Sequence, residues 1–535
     1  MNKSMFGSKS SAPTADVLND AGGKAYKLGP RESLAQIACT GTLNDTFYAS
    51  AEDQLTRVLE SLEGVYAQGG QQFIAQLAVY SRNRGYMKDM PAVMLAFLAG
   101  KSTKDRVAGE MLKVAWPLVI DNGKMVRNFV QAVRSGKFGR RGLGTLPARL
   151  IKDFLRGRSP IQLLKDSVGN DPSLVDIIRL GHPRPVNEEQ SSAFAFFLGK
   201  NPDTVNLHPT YRNLREIRDG KPVRIEKGMP WELLVSENLS PGQWEEIMGL
   251  MGWTALRMNL NTLQRHGVFD KDENVERVAA RLSDPVEIGK ARVFPYQIMT
   301  AYQNLGENVP QKIRSALHKA LDLSIVNTPS WLGKTLLCVD VSGSMSSPIT
   351  GHRKGSTTKT RCVDVAALVA GVICKHSPES EVIAFDMKAH PFRYVPEDSV
   401  LTNAKRLAAY GGGGTACSVA LDHYVKNRKG QWPDQVVYVS DNESWADFGG
   451  YGGGGATSTM ERFTRDFPQK TRLVLIDLVP NTTTQAPNTR GRVLNVGGFS
   501  DQVFSVVSTF LEGKRSWVEE IERTSLTLVQ EPRIL

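Results

Sequence analysis

The sequence of 535 residues predicts an α-helical domain followed by an α/β domain. Between about residues 31 and 322, apolar residues recur at spacings of three and four, as in amphipathic helices, and strand-like alternation is almost absent. After residues 324–334, β-branched apolar runs alternate with helical ones. The chain is too long for one hydrophobic core, and its length suggests two large domains or three smaller ones. The change of pattern at residues 324–334 favours two domains, which we place at residues 28–330 and 331–535.

The helices of the first domain are short and numerous. Examples are AEDQLTRVLESLEGV, QQFIAQLAVYSRN and GKMVRNFVQAVRS, and Gly, Pro and Asn or Asp turns separate such segments. This pattern predicts antiparallel helix pairs that stack as an α-solenoid. No self-similar repeat is visible in the sequence, so the solenoid is expected to be irregular.

The strands of the second domain are almost continuously apolar. They include TLLCVD, EVIAFD, QVVYVS and RLVLID, and helical patterns separate them. Such strands are typical of a parallel, doubly wound sheet that is covered by helices on both faces. Ligands of these sheets bind where the carboxyl ends of the strands meet the loops.

Hard oxygen donors follow three segments of this second domain. The first strand ends in DVSGSMS, a threonine follows the glycines of residues 411–414, and an aspartate follows QVVYVS. Mg²⁺ prefers octahedral oxygen coordination, which carboxylates and hydroxyls supply. The sequence therefore predicts a site for Mg²⁺ or another divalent cation, formed by Asp340, Ser342, Ser344, Thr415 and Asp441. The alternative is that Ser342 and Ser344 only cap a helix or turn.

The positive charge is concentrated in one segment of the first domain. The chain has a formal net charge of +11, and residues 101–165 alone contain 15 basic and 4 acidic side chains. This concentration favours a polyanionic partner such as RNA, whereas a solvated basic face is the alternative. Phe138 is a candidate for stacking on a base, unless the segment is a mobile loop. The candidate phosphate contacts are Lys124, Arg127, Arg134, Lys137, Arg140, Arg141 and Arg149.

Other classes of protein are disfavoured. The five cysteines include no CxxC pair, so they are expected to be buried rather than bridged or bound to zinc. The longest apolar stretch, residues 91–100, is too short to span a bilayer, and the N-terminus lacks the apolar centre of a signal peptide, which predicts a soluble, cytoplasmic protein. Phosphate-loop, HExxH and GxSxG motifs are absent, and the glycine runs at 411–414 and 452–455 lack the context of a nucleotide site, so no catalysis is expected.

Two resemblances to known families follow from these motifs. The DxSxS, Thr and Asp donors resemble, in order and context, the metal-ion-dependent adhesion site of von Willebrand factor A domains. Over residues 28–535 the chain resembles a bacterial member of the Ro autoantigen family, the Y RNA-binding proteins. The segments that carry this second resemblance are DIIRLGHPRP (176–185), WTALRMNLNTL (253–263), ARVFPYQIMTAY (291–302) and TLLCVDVSGSM (335–345).

The resemblance to the Ro family implies a fold and a function. The fold is a ring of HEAT-like helical repeats, the TROVE domain, closed by the von Willebrand A-type domain. Family members bind small noncoding Y RNAs on the outside of the ring and single-stranded ends of misfolded RNAs in its hole. They act without catalysis in RNA quality control, maturation or decay under stress, and bacterial members work with an exoribonuclease. We therefore expect a monomeric RNA scaffold that has no membrane partner.

The resemblance also assigns individual residues. His182 and Arg184 match the RNA-contacting stretch of the family, and Lys165 matches a basic helix position, but the next basic position falls here on Gly169. Without the family, His182 beside a proline is more typical of a turn or core histidine, and Lys165 of a solvated lysine. The rival function is a metal-dependent protein-binding module without RNA.

Overall fold

The computed structural model describes residues 13–40, 50–200, 205–331, 333–352, 358–428, 430–446, 456–479, 482–498, 501–513 and 516–527. The chain folds into two compact units, each assembled from separate stretches of sequence. The sheet unit comprises Met1–Gly64, Leu282–Asn304 and Arg314–Glu520. The helical unit comprises Val65–Arg281, Leu305–Ile313 and Ile521–Leu535.

Helices and strands are numbered here in chain order. The α-helices are α1 Pro30–Thr40, α2 Ala51–Ala67, α3 Gln71–Asn83, α4 Asp89–Lys101, α5 Arg106–Val119, α6 Gly123–Arg134, α7 Thr145–Arg156, α8 Pro160–Asp166, α9 Leu174–Gly181, α10 Glu188–Phe197, α11 Pro209–Arg218, α12 Pro241–Leu250, α13 Trp253–Met258, α14 Leu260–Arg265, α15 Asp272–Leu282, α16 Pro285–Ala291, α17 Pro295–Gln303, α18 Gln311–Ser324, α19 Cys362–His376, α20 Val400–Leu407, α21 Ser418–Asn427, α22 Ala456–Asp466, α23 Asp501–Leu511 and α24 Trp517–Glu522. The strands are β1 Val17–Leu18, β2 Lys24–Lys27, β3 Thr335–Asp340, β4 Glu381–Phe385, β5 Ala389–Phe392, β6 Gln435–Ser440, β7 Arg472–Asp477, β8 Thr483–Thr484 and β9 Val493–Gly497.

The helical unit is a stack of short helices. Helix α3 packs against α4 and α5, and α4 packs in turn against α6, so successive helices share neighbours. The central helix α4 is buried from Met90 to Gly100. Serines start several helices: Ser159 and Ser173 each accept a hydrogen bond from a backbone amide of the first turn, in a capping box. The predicted helical body is therefore confirmed.

The sheet unit contains a six-stranded sheet with the order β5-β4-β3-β6-β7-β9. All neighbouring pairs are parallel except β4 and β5, because β5 returns antiparallel at the edge. Strands β3 and β6 are buried along their whole length, which explains their continuous apolar sequences. The predicted doubly wound α/β architecture is confirmed, although the antiparallel edge strand was not predicted. A small second sheet joins β1, β2 and β8.

Two expectations from composition also bear on the fold. All five cysteines are unbridged and buried, as predicted, and they pack as small apolar side chains. Over the described part of the chain, every helix is too short or too polar to cross a bilayer.

Candidate metal centre and basic surface

Two carboxylates lie beside each other at the carboxyl edge of the six-stranded sheet. Asp340 is the last residue of β3, and Asp441 directly follows β6. These strands are parallel neighbours, with Val339 opposite Val439, so their ends reach the same edge. Both aspartates are buried, at 0% and 3% exposure. The strand pairing thus brings together two acids that are about 100 residues apart in sequence.

Hydroxyl groups surround this carboxylate pair. The Ser342 amide donates to Asp340 Oδ1 over 2.8 Å, and the hydroxyls of Ser342 and Ser344 are 3.3 Å apart. Ser344 also hydrogen-bonds to the side chain of Asp441. Thr415, 1% exposed, lies on a turn that is joined to the first loop by the hydrogen bond from Gly343 N to Gly413 O. The five predicted donors therefore lie on three loops that contact one another.

The electrostatics of the pair favour a bound cation. Burial and the neighbouring Asp441 raise the pKa of Asp340 to about 7, although hydrogen bonds from Ser342 and Ser440 oppose this rise. Burial likewise raises the pKa of Asp441. Among the described residues, no Lys, Arg or His forms an ion pair with Asp340 or Asp441. The described residues also include no group of three or more His, Cys, Asp or Glu side chains that is arranged to hold a metal. Two carboxylates and three hydroxyls instead form an oxygen donor set that fits Mg²⁺.

The capping alternative for the two serines is not supported. Ser342 immediately precedes the short 3₁₀ helix Gly343–Ser346, but its side chain makes no capping hydrogen bond. Its hydroxyl faces that of Ser344 instead. The hydroxyls are thus directed to each other and to the carboxylate pair rather than to the backbone of a helix.

Most of the predicted RNA-binding residues are exposed on the helical unit. Helix α6 packs against α8 and α9, and α7 packs against α9, so the helices that carry Lys124, Arg134, Arg149 and Lys165 form one body. The other exposed residues lie in the segments that follow α6 and α9. His182 ends α9 in a left-handed conformation, as a turn residue, but its side chain remains exposed. We call the exposed set the basic surface; it consists of Lys124, Arg134, Lys137, Arg141, Arg149, Lys165, His182 and Arg184.

Three predicted contacts must be corrected. Arg127 is 7% exposed, and its guanidinium donates to the backbone oxygens of Asp166 and Val168 over 2.6 and 2.5 Å, so it joins helices rather than facing a ligand. Arg140 is half-buried, and its guanidinium donates to the carbonyls of Gly142 and Ala99. Phe138 is buried in the apolar core and has no free face for a base.

Comparisons with known proteins identify both parts of the chain. A family model described as the TROVE domain matches residues 187–363, and one described as the Ro60 vWA domain matches residues 334–511. The chain belongs to the Ro60 family. The basic surface precedes the segment that the TROVE model matches.

Relatives of the Ro60 family cover most of the chain. The RNA-binding protein RO60 of Deinococcus radiodurans is 22% identical over 522 residues, which are 93% of this chain and 96% of that protein. The RO60 protein of Caenorhabditis elegans is 25% identical over 276 residues, 49% of this chain and 40% of that protein. The crystal structure of the Deinococcus radiodurans RO protein, at 20% identity, matches 91% of this chain and all of that chain with a TM-score of 0.64, which supports the Ro60 fold.

One departure from the Ro60 pattern has a structural reason. Gly169 has φ of +106°, and a Cβ atom there would lie 2.9 Å from Nη2 of Arg127. A basic side chain at this position would be strained and would crowd the guanidinium that joins the helices. The basic residue that the resemblance predicts at this position therefore does not fit the backbone of Gly169 beside the buried Arg127.

Several residues near the metal centre were missed by sequence reasoning. Glu443 is 1% exposed although it lies in a polar segment, and Ser440 donates to Asp340 Oδ2 over 2.6 Å. Asn19, more than 400 residues away in sequence, donates to the backbone of Ser444. The polar SDNES sequence contained no signal for its burial, because the partners come from distant segments.

The second glycine run, residues 452–455, lies outside the described residues.

Proposed function

We propose that this chain is an RNA-binding protein that takes small structured noncoding RNAs of the Y type and noncoding RNAs with single-stranded or misfolded ends. The observation that carries this proposal is the basic surface, because its eight exposed cationic or imidazole side chains lie on the packed helices α6 to α9 and on the segments that adjoin them. Phosphates bound there would release counterions, which favours association at low salt. The relatives that bear the name RNA-binding protein RO60 support the same function.

The proposed mode of recognition is shape rather than base sequence. The basic surface offers charged groups, which suit phosphates, and Phe138, the predicted stacking aromatic, is buried. We propose a noncatalytic scaffold in the cytoplasm that acts in RNA quality control, maturation or decay under stress. An exoribonuclease is the proposed protein partner.

A Mg²⁺ ion is proposed at the carboxyl edge of the sheet. Asp340 and Asp441 would supply charge, and Ser342, Ser344 and Thr415 would supply hydroxyl oxygens. Bound there, Mg²⁺ would add an electrophilic position for an acidic group of a protein. The buried carboxylate pair, which forms no ion pair with a Lys, Arg or His among the described residues, favours this second activity, a metal-dependent protein-binding function alongside RNA binding.

The proposed function is tested by comparing RNAs of different form. We expect an RNA with a free single-stranded 3′ tail to compete better than its blunt duplex. Replacement of Lys165 or His182 by Ala should weaken binding of a structured small RNA more than binding of the tailed RNA, because the resemblance to the Ro family assigns both residues to contacts with structured RNA and assigns single-stranded ends to a separate place. Electrophoretic mobility shifts at fixed salt measure both affinities.

Two results would contradict the proposal. Equal losses for both RNAs would show that the two forms do not use separate contacts. If sequencing of the RNA that co-purifies with the chain shows no enriched RNA, the result would favour the protein-binding function alone.

A further inference from the structure

The N-terminal hairpin, residues 17–27, contacts the loop that follows Asp441. Its strands β1 and β2 are antiparallel, and β2 also pairs with β8. The Asn19 side chain donates from Nδ2 to the carbonyl of Ser444 over 3.0 Å. Its Oδ1 accepts from the Gly23 amide over 2.7 Å, so one buried carboxamide joins the turn of the hairpin to the metal-site loop.

Gly23 allows the close approach of the two segments. A Cβ atom at this position would lie 1.9 Å from the carbonyl oxygen of Ser444 and 3.0 Å from Cα of Trp445. The contact is with backbone, which a side-chain rotation cannot relieve. The Ala21 amide donates to Glu443 Oε2 over 3.1 Å, so the buried carboxylate nearest to Asp441 on this loop bonds to the hairpin.

Ser444 extends the contact to the other ligand loop. Its hydroxyl accepts from the Cys417 amide and donates to the carbonyl of Thr415, over 3.3 and 3.4 Å. The Trp445 amide donates to that same carbonyl over 3.1 Å. The residues that bond to the hairpin therefore also bond to the turn that carries the Thr415 hydroxyl.

We propose that the N-terminal hairpin is a positioning element of the metal site, through which Asn19 and Gly23 set the affinity for Mg²⁺. The inference rests on the proposed Mg²⁺ site and adds residues that are not ligands. Mg²⁺ tolerates little deviation from octahedral geometry, so the loops that carry its ligands must be held in place. If such a loop becomes ordered only when the ion binds, the free energy of ordering it lowers the affinity. The hairpin orders both loops before the ion binds.

Calorimetric titration of the full chain with MgCl₂ tests this role. Asn19→Ala and Gly23→Ala should each weaken Mg²⁺ binding at least five-fold. The matched control is Gly289→Ala, because Gly289 lies in helix α16 of the same unit and a Cβ atom there meets nothing within 4 Å. If Gly23→Ala fails to fold, Asn19→Asp serves instead, since it keeps an acceptor for the Gly23 amide but loses the donor to Ser444.

Hydrogen exchange in the metal-free protein provides a second readout. Amides 443–446 should exchange faster in the hairpin variants than in the unaltered chain and in Gly289→Ala. Mg²⁺ affinities within two-fold of the unaltered chain would overturn the positioning role and leave the metal site intact. A lack of Mg²⁺ binding by the unaltered chain would overturn the metal proposal itself, together with the claim about affinity.

Discussion

Arg127 and Arg141 belong to the same basic segment but differ in their surroundings. The Arg127 guanidinium is buried between the helices and bonds to two backbone carbonyls, and burial lowers its pKa. Arg141 is exposed beyond the end of α6. The sequence shows two arginines among small and apolar residues, and it cannot distinguish them because burial depends on how α6 meets the chain that follows α8.

Replacement of Arg127 by Ala should lower the stability of the protein and leave its RNA affinity within two-fold. Each buried carbonyl that loses its donor costs roughly 1–3 kcal/mol, so we expect the free energy of unfolding to fall by about 2 kcal/mol or more. Arg141→Ala should do the reverse, with a stability change within about 0.5 kcal/mol and weaker RNA binding. Urea unfolding and RNA titration measure the two effects. If the Arg127→Ala variant folds but binds RNA more weakly, Arg127 would be part of the RNA interface after all.

The raised pKa of Asp340 makes stability depend on pH and metal together. The pKa of about 7 exceeds the ordinary value of 3.8, so ionisation of the Asp340 carboxyl is less favourable in the folded, metal-free protein than in the unfolded chain. The contribution of Asp340 to metal-free stability should therefore be full below about pH 3.8 and be lost as the pH rises through 7. Mg²⁺ should raise the unfolding temperature strongly at pH 8 and little at pH 5, and Asp340→Asn should remove this response. An equal Mg²⁺ effect at both pH values would contradict the assignment of Asp340.

At the scale of the elements, helices α6 to α9 and the segments that adjoin them carry the basic surface, and the ends of strands β3 and β6 carry the carboxylates. Helical periodicity in the sequence predicted these helices, and continuous apolar runs predicted these strands. The ligand loops were predictable because parallel strands end at one edge. The antiparallel β5 was not, because AHPF is short and half-exposed and lacks an apolar pattern.

The salt dependence of RNA binding tests the basic surface as an element. Replacement of Arg141 and Arg149 together should flatten the slope of log affinity against log salt by about 1.4, at about 0.7 for each single-strand phosphate contact. The matched control replaces Lys271 and Arg277, which are also exposed on the helical unit. A flattened slope in the control would show that the effect of charge is nonspecific. An unchanged slope in the Arg141 and Arg149 variant would show that these two side chains are solvated and do not contact phosphates.

At the scale of the whole molecule, the sequence predicted a helical region before an α/β region, but each compact unit draws on separate stretches of the chain. The N-terminal hairpin lies in the same unit as the candidate metal centre, although more than 400 residues separate Asn19 from its partner Ser444. Local periodicity cannot predict such a contact, since the hydrogen bonds of Asn19 depend on the tertiary fold. The motifs shared with the Ro60 family predicted the fold class but not this connection.

The central claim is that the basic surface of the helical unit binds RNA and that the metal centre of the sheet unit is a separate site. RNA affinity measured in Mg²⁺ and in EDTA, for the unaltered chain, Asp340→Ala and the Arg141 and Arg149 variant, tests it most directly. We expect chelation or Asp340→Ala to change affinity only a few-fold, about 1 kcal/mol or less. The arginine variant should lose affinity equally in both buffers. Loss of RNA binding upon chelation or in Asp340→Ala, with the circular dichroism spectrum unchanged, would contradict the account.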